Sequence, residues 1–292
     1  MAKGPLERLL DRQPWLDGLA DRIQPITEKL YPGAAGRVVK DALNGVWLGH
    51  SLHSAISDVP IGAWLTAEAL DLVSIQRGGD EGLDRASDLA LGLGVIGAVG
   101  ATATGITDWS QIHGAPRRMG LAHALINVAG LTLNVASLVV RLRGGSRGTA
   151  RLLSLVGFSI NTVAAYVGGE LVYRLGQAVN RNAWVKGPAK FKDVAAVDDL
   201  VPGKMKMVKV ADTAVVLLKD DDGLHAFGGI CPHVGGPLWE GELDGHCVTC
   251  PWHGSQFDVR DGKLLHGPST HPVPCFEVRE SDGRIQVRLE QD

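Results

Sequence analysis

Two short runs in the last quarter of the chain carry residue types that bind metal. They are Cys231-Pro-His233 and, after a gap of about sixteen residues, Cys250-Pro-Trp-His253. Thiolate sulfur and neutral imidazole nitrogen are the donors that hold zinc or an iron–sulfur cluster. The order is C-x-H followed by C-x-x-H, so each run pairs one sulfur with one nitrogen. Zinc fingers rarely use C-x-H and do not mix ligand types within each pair in this way. That favours a cluster.

The elements that must present these loops are legible around them. Pro232, Gly235, Gly236, Pro251 and Gly254 suit tight turns. Apolar runs at 205–210, 214–219, 224–227, 276–279 and 284–289 are broken by Ala211-Asp-Thr213, Asp222-Gly223 and Asp282-Gly283. This predicts a small antiparallel β domain of about 100 residues. His246 and His271 are expected on its surface. Cys247 and Cys275 are expected to be ordinary reduced thiols.

With Gly235-Gly236-Pro237-Leu238 and His253-Gly254-Ser255, the stretch from about residue 190 onward resembles the Rieske [2Fe–2S] family. The resemblance implies a one-electron carrier with no catalytic residues. Cys231 and Cys250 would hold one iron, and His233 and His253 the other. Gly254, Ser255 and Phe257 would surround the cluster, with the Ser255 hydroxyl on a cluster sulfur. Such centres have potentials of about −150 to +300 mV. In respiratory-complex members a disulfide joins the cluster loops, but here those positions hold Gly236 and Trp252. Their tyrosine is replaced by Phe257. The chain looks more like the Rieske ferredoxins of oxygenase systems, so a potential in the lower half of that range is expected. A complete Rieske oxygenase needs a further 2-His-1-carboxylate iron domain, which is not expected here because the sequence ends soon after the cluster.

The preceding part has a different composition. Residues from about 43 to 176 are rich in Gly, Ala, Leu and Val. Runs at 89–107, 121–140 and 152–169 lack Asp, Glu, Lys and Arg, the second containing His123, Asn127 and Asn134, and approach the roughly 20 residues that span a bilayer. A weaker run at 43–75 contains His50, His53, Asp58, Glu68 and Asp71. The three uncharged runs lack the charged stripe of a soluble bundle helix, so with the weaker run four transmembrane helices are predicted. Gly92-Leu-Gly94-Val-Ile-Gly97 spells a dinucleotide-binding fingerprint but follows no strand. Gly97, Ala101 and Gly105 have the small-residue spacing of closely packed membrane helices. His50-Ser-Leu-His53 and Asp58-Val-Pro60-Ile-Gly62 resemble a small four-helix membrane domain of unknown function that occurs fused to Rieske domains. His50, His53 and His123 fall toward one side of the expected bundle. Imidazoles there could ligate haem b or another metal, or relay protons from a quinol. In the alternative reading the helices are only an anchor for the ferredoxin.

The expected architecture is therefore α + β. Residues 1–42 form an amphipathic segment, lying on the membrane or packed on its own protein. Residues 43–176 form the four-helix membrane domain, 177–189 a linker and 190–292 the all-β Rieske domain. The formal charge of −3 gives no basic face for nucleic acid. No apolar core of a cleavable signal is seen near the start. Lys and Arg near the spans favour a multi-pass cell-membrane protein with a cytoplasmic Rieske domain. Expected partners are membrane lipid, a redox protein or quinone, and a second copy of the chain.

Overall fold

In the computed structural model, which describes residues 3–289, contacts divide the chain into two units. One holds residues up to Gly36 and Leu52–Gly176. The other holds Arg37–Ser51 and the residues from Gln177 onward.

The first unit is helical. Short helices α1 (Pro5–Asp11) and α2 (Trp15–Glu28) lead to α3 (Gly33–Asn44), which runs on into the second unit; α4 (Leu52–Ile56) follows in the first. Four longer helices come next: α5 (Asp58–Gln76), α6 (Glu81–Trp109), α7 (Ala115–Leu142) and α8 (Arg147–Gly169), the last extended by one π turn over Glu170–Arg174. The two-part α + β plan is as expected, with α1–α4 standing ahead of the four long helices. The run at 43–75 is not one helix. Gly45 and Gly49 take positive φ (83° and 80°), a conformation that ends a right-handed helix. Among the described residues, α6, α7 and α8 with its extension are long and apolar enough to cross a membrane.

Tight turns make two helical hairpins. Gly78 and Gly79 at positive φ join α5 to α6, and the Asp80 carboxylate caps α6 by accepting from Gly82 N and Leu83 N at 2.9 and 3.1 Å. Gly144 at positive φ joins α7 to α8, which Ser146 caps through Thr149 N. The packing is inverted relative to a water-soluble bundle. Leu89 and Ile96 are 77% and 71% exposed, whereas Asn134, Ser137 and Ser154 are fully buried. In water such a surface would be an aggregation hazard; in lipid it needs no cover. The small stripe of α6 does what its spacing predicts. A Cβ on Gly97 would lie 2.8 Å from Val59 Cγ1, and one on Gly105 would lie 2.9 Å from the His53 ring.

At one end of this unit the buried polar groups are charged. The Arg141 guanidinium, fully buried, donates to Asp71 at 2.6 Å and to Ser87 and Ser154 at 2.8 and 3.1 Å. Arg147 and Arg151 pair with Asp88 and Asp84 at 2.6 and 2.7 Å. The amphipathic α2 packs on its own protein. Leu16 and Ala20 bury against Trp109, Leu121 and Ala122, and Arg118 pairs with Asp17 and with Asp11.

Among the described residues, the second unit is built on ten short strands. β1 (Lys192–Ala196), β10 (Arg284–Leu289) and β9 (Phe276–Ser281) form one antiparallel sheet. β2 (Lys206–Val210), β3 (Thr213–Asp220) and β4 (Gly223–Gly228) form a second. β5 (Glu242–Asp244), β6 (Cys247–Thr249), β7 (Gln256–Asp258) and β8 (Leu264–His266) form a third. Arg284 pairs with Ser281, leaving Asp282 and Gly283 at positive φ (51° and 73°) as the two-residue hairpin turn their sequence signals. Residues 177–189 are hydrogen-bonded to this unit: Arg181 N donates to Pro232 O and Asn182 Nδ2 to Ile230 O. The 37–51 segment is held similarly, with Asp41 bonded to His266 Nδ1 at 2.7 Å and Gly267 N at 3.0 Å.

Candidate metal centre

Two loops of the β unit converge, and they share one backbone design. In the first, between β4 and a short 3-10 turn (Leu238–Glu240), Cys231 N donates to Gly236 O and Gly235 N donates back to Cys231 O. In the second, between β6 and β7, Cys250 N donates to Ser255 O and Gly254 N to Cys250 O. Each loop thus closes on its cysteine at the fourth and fifth residues on. The fourth is glycine at positive φ in both, 91° at Gly235 and 75° at Gly254, where a side chain would be strained.

The loops deliver two sulfurs inward and two imidazoles toward the rim. Cys231 and Cys250 are 1% and 3% exposed and pack with Leu218, Phe227, Leu238 and Phe257. His233 and His253 are half-buried, with ring centroids 4.9 Å apart at 89°. The sulfurs are surrounded by donors. Backbone N–H of Trp252 and His253 point at Cys250, and that of His233 at Cys231. The two thiols also hydrogen-bond to each other, which pushes the Cys231 thiol up and pulls Cys250 down. Burial, with His253 beside it, holds His233 down to about 3, so its imidazole is neutral as a metal ligand must be. His233 Nδ1 is buried with no hydrogen-bond partner, as a nitrogen reserved for a metal would be. These donors fit a centre with sulfur on one side and imidazole on the other.

The residues around the pair have definable roles. Ser255, fully buried, donates toward Cys231 and accepts from Ser269 N at 2.9 Å. Phe257 is fully buried behind the loops. A Cβ on Gly236 would stand 2.8 Å from Cys250 Sγ, so a side chain there would press on that sulfur. Trp252 is 53% exposed beside His253. Neither Cys247 nor Cys275 is joined in a disulfide among the described residues. His246 bonds Asp222 at 2.8 Å on the surface.

The histidines expected in the helical part separate. His50 lies before α4, in the segment that joins the β unit, and its Nδ1 faces Ser51 O at 3.2 Å. His53 and His123 come together, with ring centroids 6.2 Å apart and planes at 89°. Each is tied to a backbone carbonyl: His53 Nδ1 to Ala101 O and His123 Nδ1 to Ala164 O, both at 2.8 Å. The ring of His123 packs on Gly168 as that of His53 does on Gly105. Ala164 and Gly168 escaped the sequence reading, although their four-residue spacing copies that of Ala101 and Gly105.

Comparison with known proteins agrees with both halves. Residues 190–277 match the family described as Rieske [2Fe-2S] domain, and residues 49–181 the family described as Predicted membrane protein (DUF2231). The chain is 38% identical over 95 residues to human (Homo sapiens) apoptosis-inducing factor 3, covering 32% of this chain but only 16% of that protein. It is 36% identical over 103 residues to the ferredoxin component of the alkene monooxygenase system of Xanthobacter autotrophicus, covering 35% of this chain and 83% of that one. Among solved structures, the ferredoxin of carbazole 1,9a-dioxygenase from Nocardioides aromaticivorans IC177 aligns with TM-score 0.33 and 28% identity, over 35% of this chain and 99% of its own.

Proposed function

This chain belongs to the Rieske [2Fe–2S] family, and from that premise we propose that it is a membrane-bound one-electron carrier whose cluster is held by Cys231, Cys250, His233 and His253. The observation that carries the reading is the pair of matched loops, which place two buried thiols and two rim imidazoles together. When bound, a cluster of this kind supplies one-electron oxidation and reduction. The polypeptide keeps the sulfurs dry, aims N–H donors at them and leaves the imidazole edge half-open to a partner. The test is composition and spectroscopy of the full chain. Two irons and two sulfides per chain with a Rieske electron-paramagnetic-resonance signal on reduction are expected; stoichiometric zinc would refute the reading.

Two predictions concern the potential. With no inter-loop disulfide and Phe257 lacking a hydroxyl, the midpoint is expected in the lower half of the about −150 to +300 mV range. A redox titration giving about +250 mV would contradict this. Ser255→Ala removes a hydroxyl bond to a ligand sulfur, worth about 1.5 kcal/mol when the acceptor is charged. The bond strengthens as the cluster gains an electron, so the midpoint is expected to fall, by up to roughly 60 mV if the whole bond is gained with that electron, read by the same titration with the cluster intact.

By analogy with the ferredoxin component of an alkene monooxygenase system, the electron partner is a redox protein, docking at the rim that bears Trp252. The helical part is read as multi-pass through α5–α8, with the cluster domain cytoplasmic, on the distribution of Lys and Arg. Reporter fusions at the C-terminus test this: fluorescence from a cytoplasm-only reporter is expected, and activity of a periplasm-only one would reverse it. We also assign the helical part a second redox site at His53 and His123, in preference to a role as anchor alone. Two imidazoles inside an apolar bundle, each fixed by a carbonyl, are an expensive arrangement for an anchor to keep.

A further inference from the structure

The two long hairpins are copies of one another. Four of the five buried positions of α5 recur in α7 at an offset of 70: Pro60, Trp64, Ala67 and Asp71 match Gly130, Asn134, Ser137 and Arg141. All six buried positions of α8 fall on buried positions of α6 at an offset of 63, from Ala150 on Ser87 to Val167 on Thr104. Contacts recur with them. Gly94 receives Trp64, and its counterpart Gly157 receives Asn134. Ser87 Oγ donates to Ala67 O, and the reverse pair, Ser137 Oγ to Ala150 O, closes the other hairpin. The charged end obeys the same offsets. Asp71, Asp84 and Asp88 of the first hairpin correspond to Arg141, Arg147 and Arg151 of the second.

The offset of 70 also carries His53 onto His123, and the offset of 63 carries Ala101 and Gly105 onto Ala164 and Gly168. So the two imidazoles, their carbonyl partners and the glycines beneath them are equivalent parts of two repeats meeting face to face. We propose that this meeting point is a haem site, with His53 and His123 as the two axial ligands, one from each repeat. This rests on the reading above that the helical part holds a second redox site, and it names the group.

Three features select haem. First, with Nδ1–H donated to a carbonyl, Nε2 is the nitrogen with a lone pair to give, and a backbone-anchored ring is the usual support for a metal-ligating histidine. Second, a metal–nitrogen bond of about 2.0–2.1 Å places opposed imidazole centroids roughly 6.4 Å apart, and a tetrahedral pair only about 5 Å. The observed centroid separation of 6.2 Å is nearer the first value than the second. Third, among the described residues no third His, Cys, Asp or Glu donor atom gathers with the pair; the one such group of three is Asp220, His225 and His246 in the β unit. A bare zinc ion asks for three or four protein donors, whereas a porphyrin brings its own four and needs only the two axial positions. Asn127 is the group that must yield. Its Nδ2 lies 3.1 Å from His123 Nε2, and the same nitrogen also reaches His123 O at 3.1 Å, so the amide keeps an acceptor when Nε2 is taken.

The experiment is an optical and electron-paramagnetic-resonance study of the full chain in detergent, titrated with hemin if it is purified without haem. One haem per chain, with a low-spin spectrum and sharp α bands on reduction, is expected. His53→Gly and His123→Gly should each lose the low-spin form, and added imidazole should restore it. His50→Ala should leave it unchanged. The Rieske signal serves as an internal check of folding and should persist in all three variants. A chain with full Rieske signal that takes up no haem, that keeps low-spin haem in both glycine variants, or that binds stoichiometric copper or zinc at this pair would overturn the proposal and leave the electron-carrier reading standing. Loss of the Rieske signal from the unaltered chain, with low-spin haem present, would do the reverse.

Discussion

Replacing Cys250 by serine is expected to give a full-length chain with no iron–sulfide, no visible absorption from the cluster and no Rieske signal, while the helical signal in circular dichroism is retained. Cys250 sits at the junction of two dependencies. Its sulfur is a ligand in the proposed centre, and two backbone N–H groups stabilise it as thiolate. A serine hydroxyl there is neutral at ordinary pH and a poor donor to iron. The residue also belongs to the apolar cluster with Phe227, Leu238 and Phe257, so the change leaves a buried polar group facing carbon. Binding free energy at such a site is also folding free energy, so the β unit should melt at lower temperature and in a broader transition. The measurement is iron and sulfide analysis beside thermal denaturation followed separately in the β and helical signals. Full iron content in the variant would remove Cys250 from the ligand set.

The two converging loops were legible because their chemistry is local. Cys231, His233, Cys250 and His253 lie within two runs of three and four residues, and the glycines that close each loop stand at fixed distances from the cysteines. The strands were legible too, since Asp282-Gly283 and Asp222-Gly223 mark turns that only a few backbone conformations satisfy. The helical part was legible in class but not in detail. Hydropathy reports what faces lipid, and it found the three longest apolar helices. It does not report partners across the bundle. His50 and His53 read as one helix face because they stand three positions apart. Gly49, at positive φ, ends that helix before it starts, and His50 goes with the other unit. The duplication was invisible for a related reason. Its equivalences swap Trp64 for Asn134 and Asp71 for Arg141, so the repeats preserve position and size of gap while reversing charge and polarity. A search for similar residues misses this, and only the list of buried positions reveals it.

That reversal predicts the second large effect. Arg141→Leu is expected to destabilise the helical unit by about 3–5 kcal/mol, because it strips a buried carboxylate of its bidentate partner. Asp71 is 3% exposed, and the 2.6 Å bond to Arg141 is its shortest. Arg147 and Arg151 reach the same carboxylate at 3.1 and 3.3 Å and are themselves engaged with Asp88 and Asp84, so they compensate only in part. Arg141→Lys should fare little better, since a point charge cannot serve Asp71, Ser87 and Ser154 at once. For a unit of this size the loss corresponds to a fall in melting temperature on the order of 10 °C, read as loss of the monodisperse peak after heating the detergent-solubilised chain. The repeat makes a sharper demand. Converting Asp71, Asp84 and Asp88 to arginine should abolish folding, as six guanidinium groups would then crowd one end of the bundle. Converting Arg141, Arg147 and Arg151 to aspartate in the same chain should restore it. Each new charge then occupies the position its partner's repeat has already shown can hold it, and the net charge of that end is unchanged. If the six-fold exchange fails to recover most of the lost stability, the two hairpins are not equivalent in the way their buried positions imply. The symmetry that pairs His53 with His123 would then lose its support from this end of the bundle.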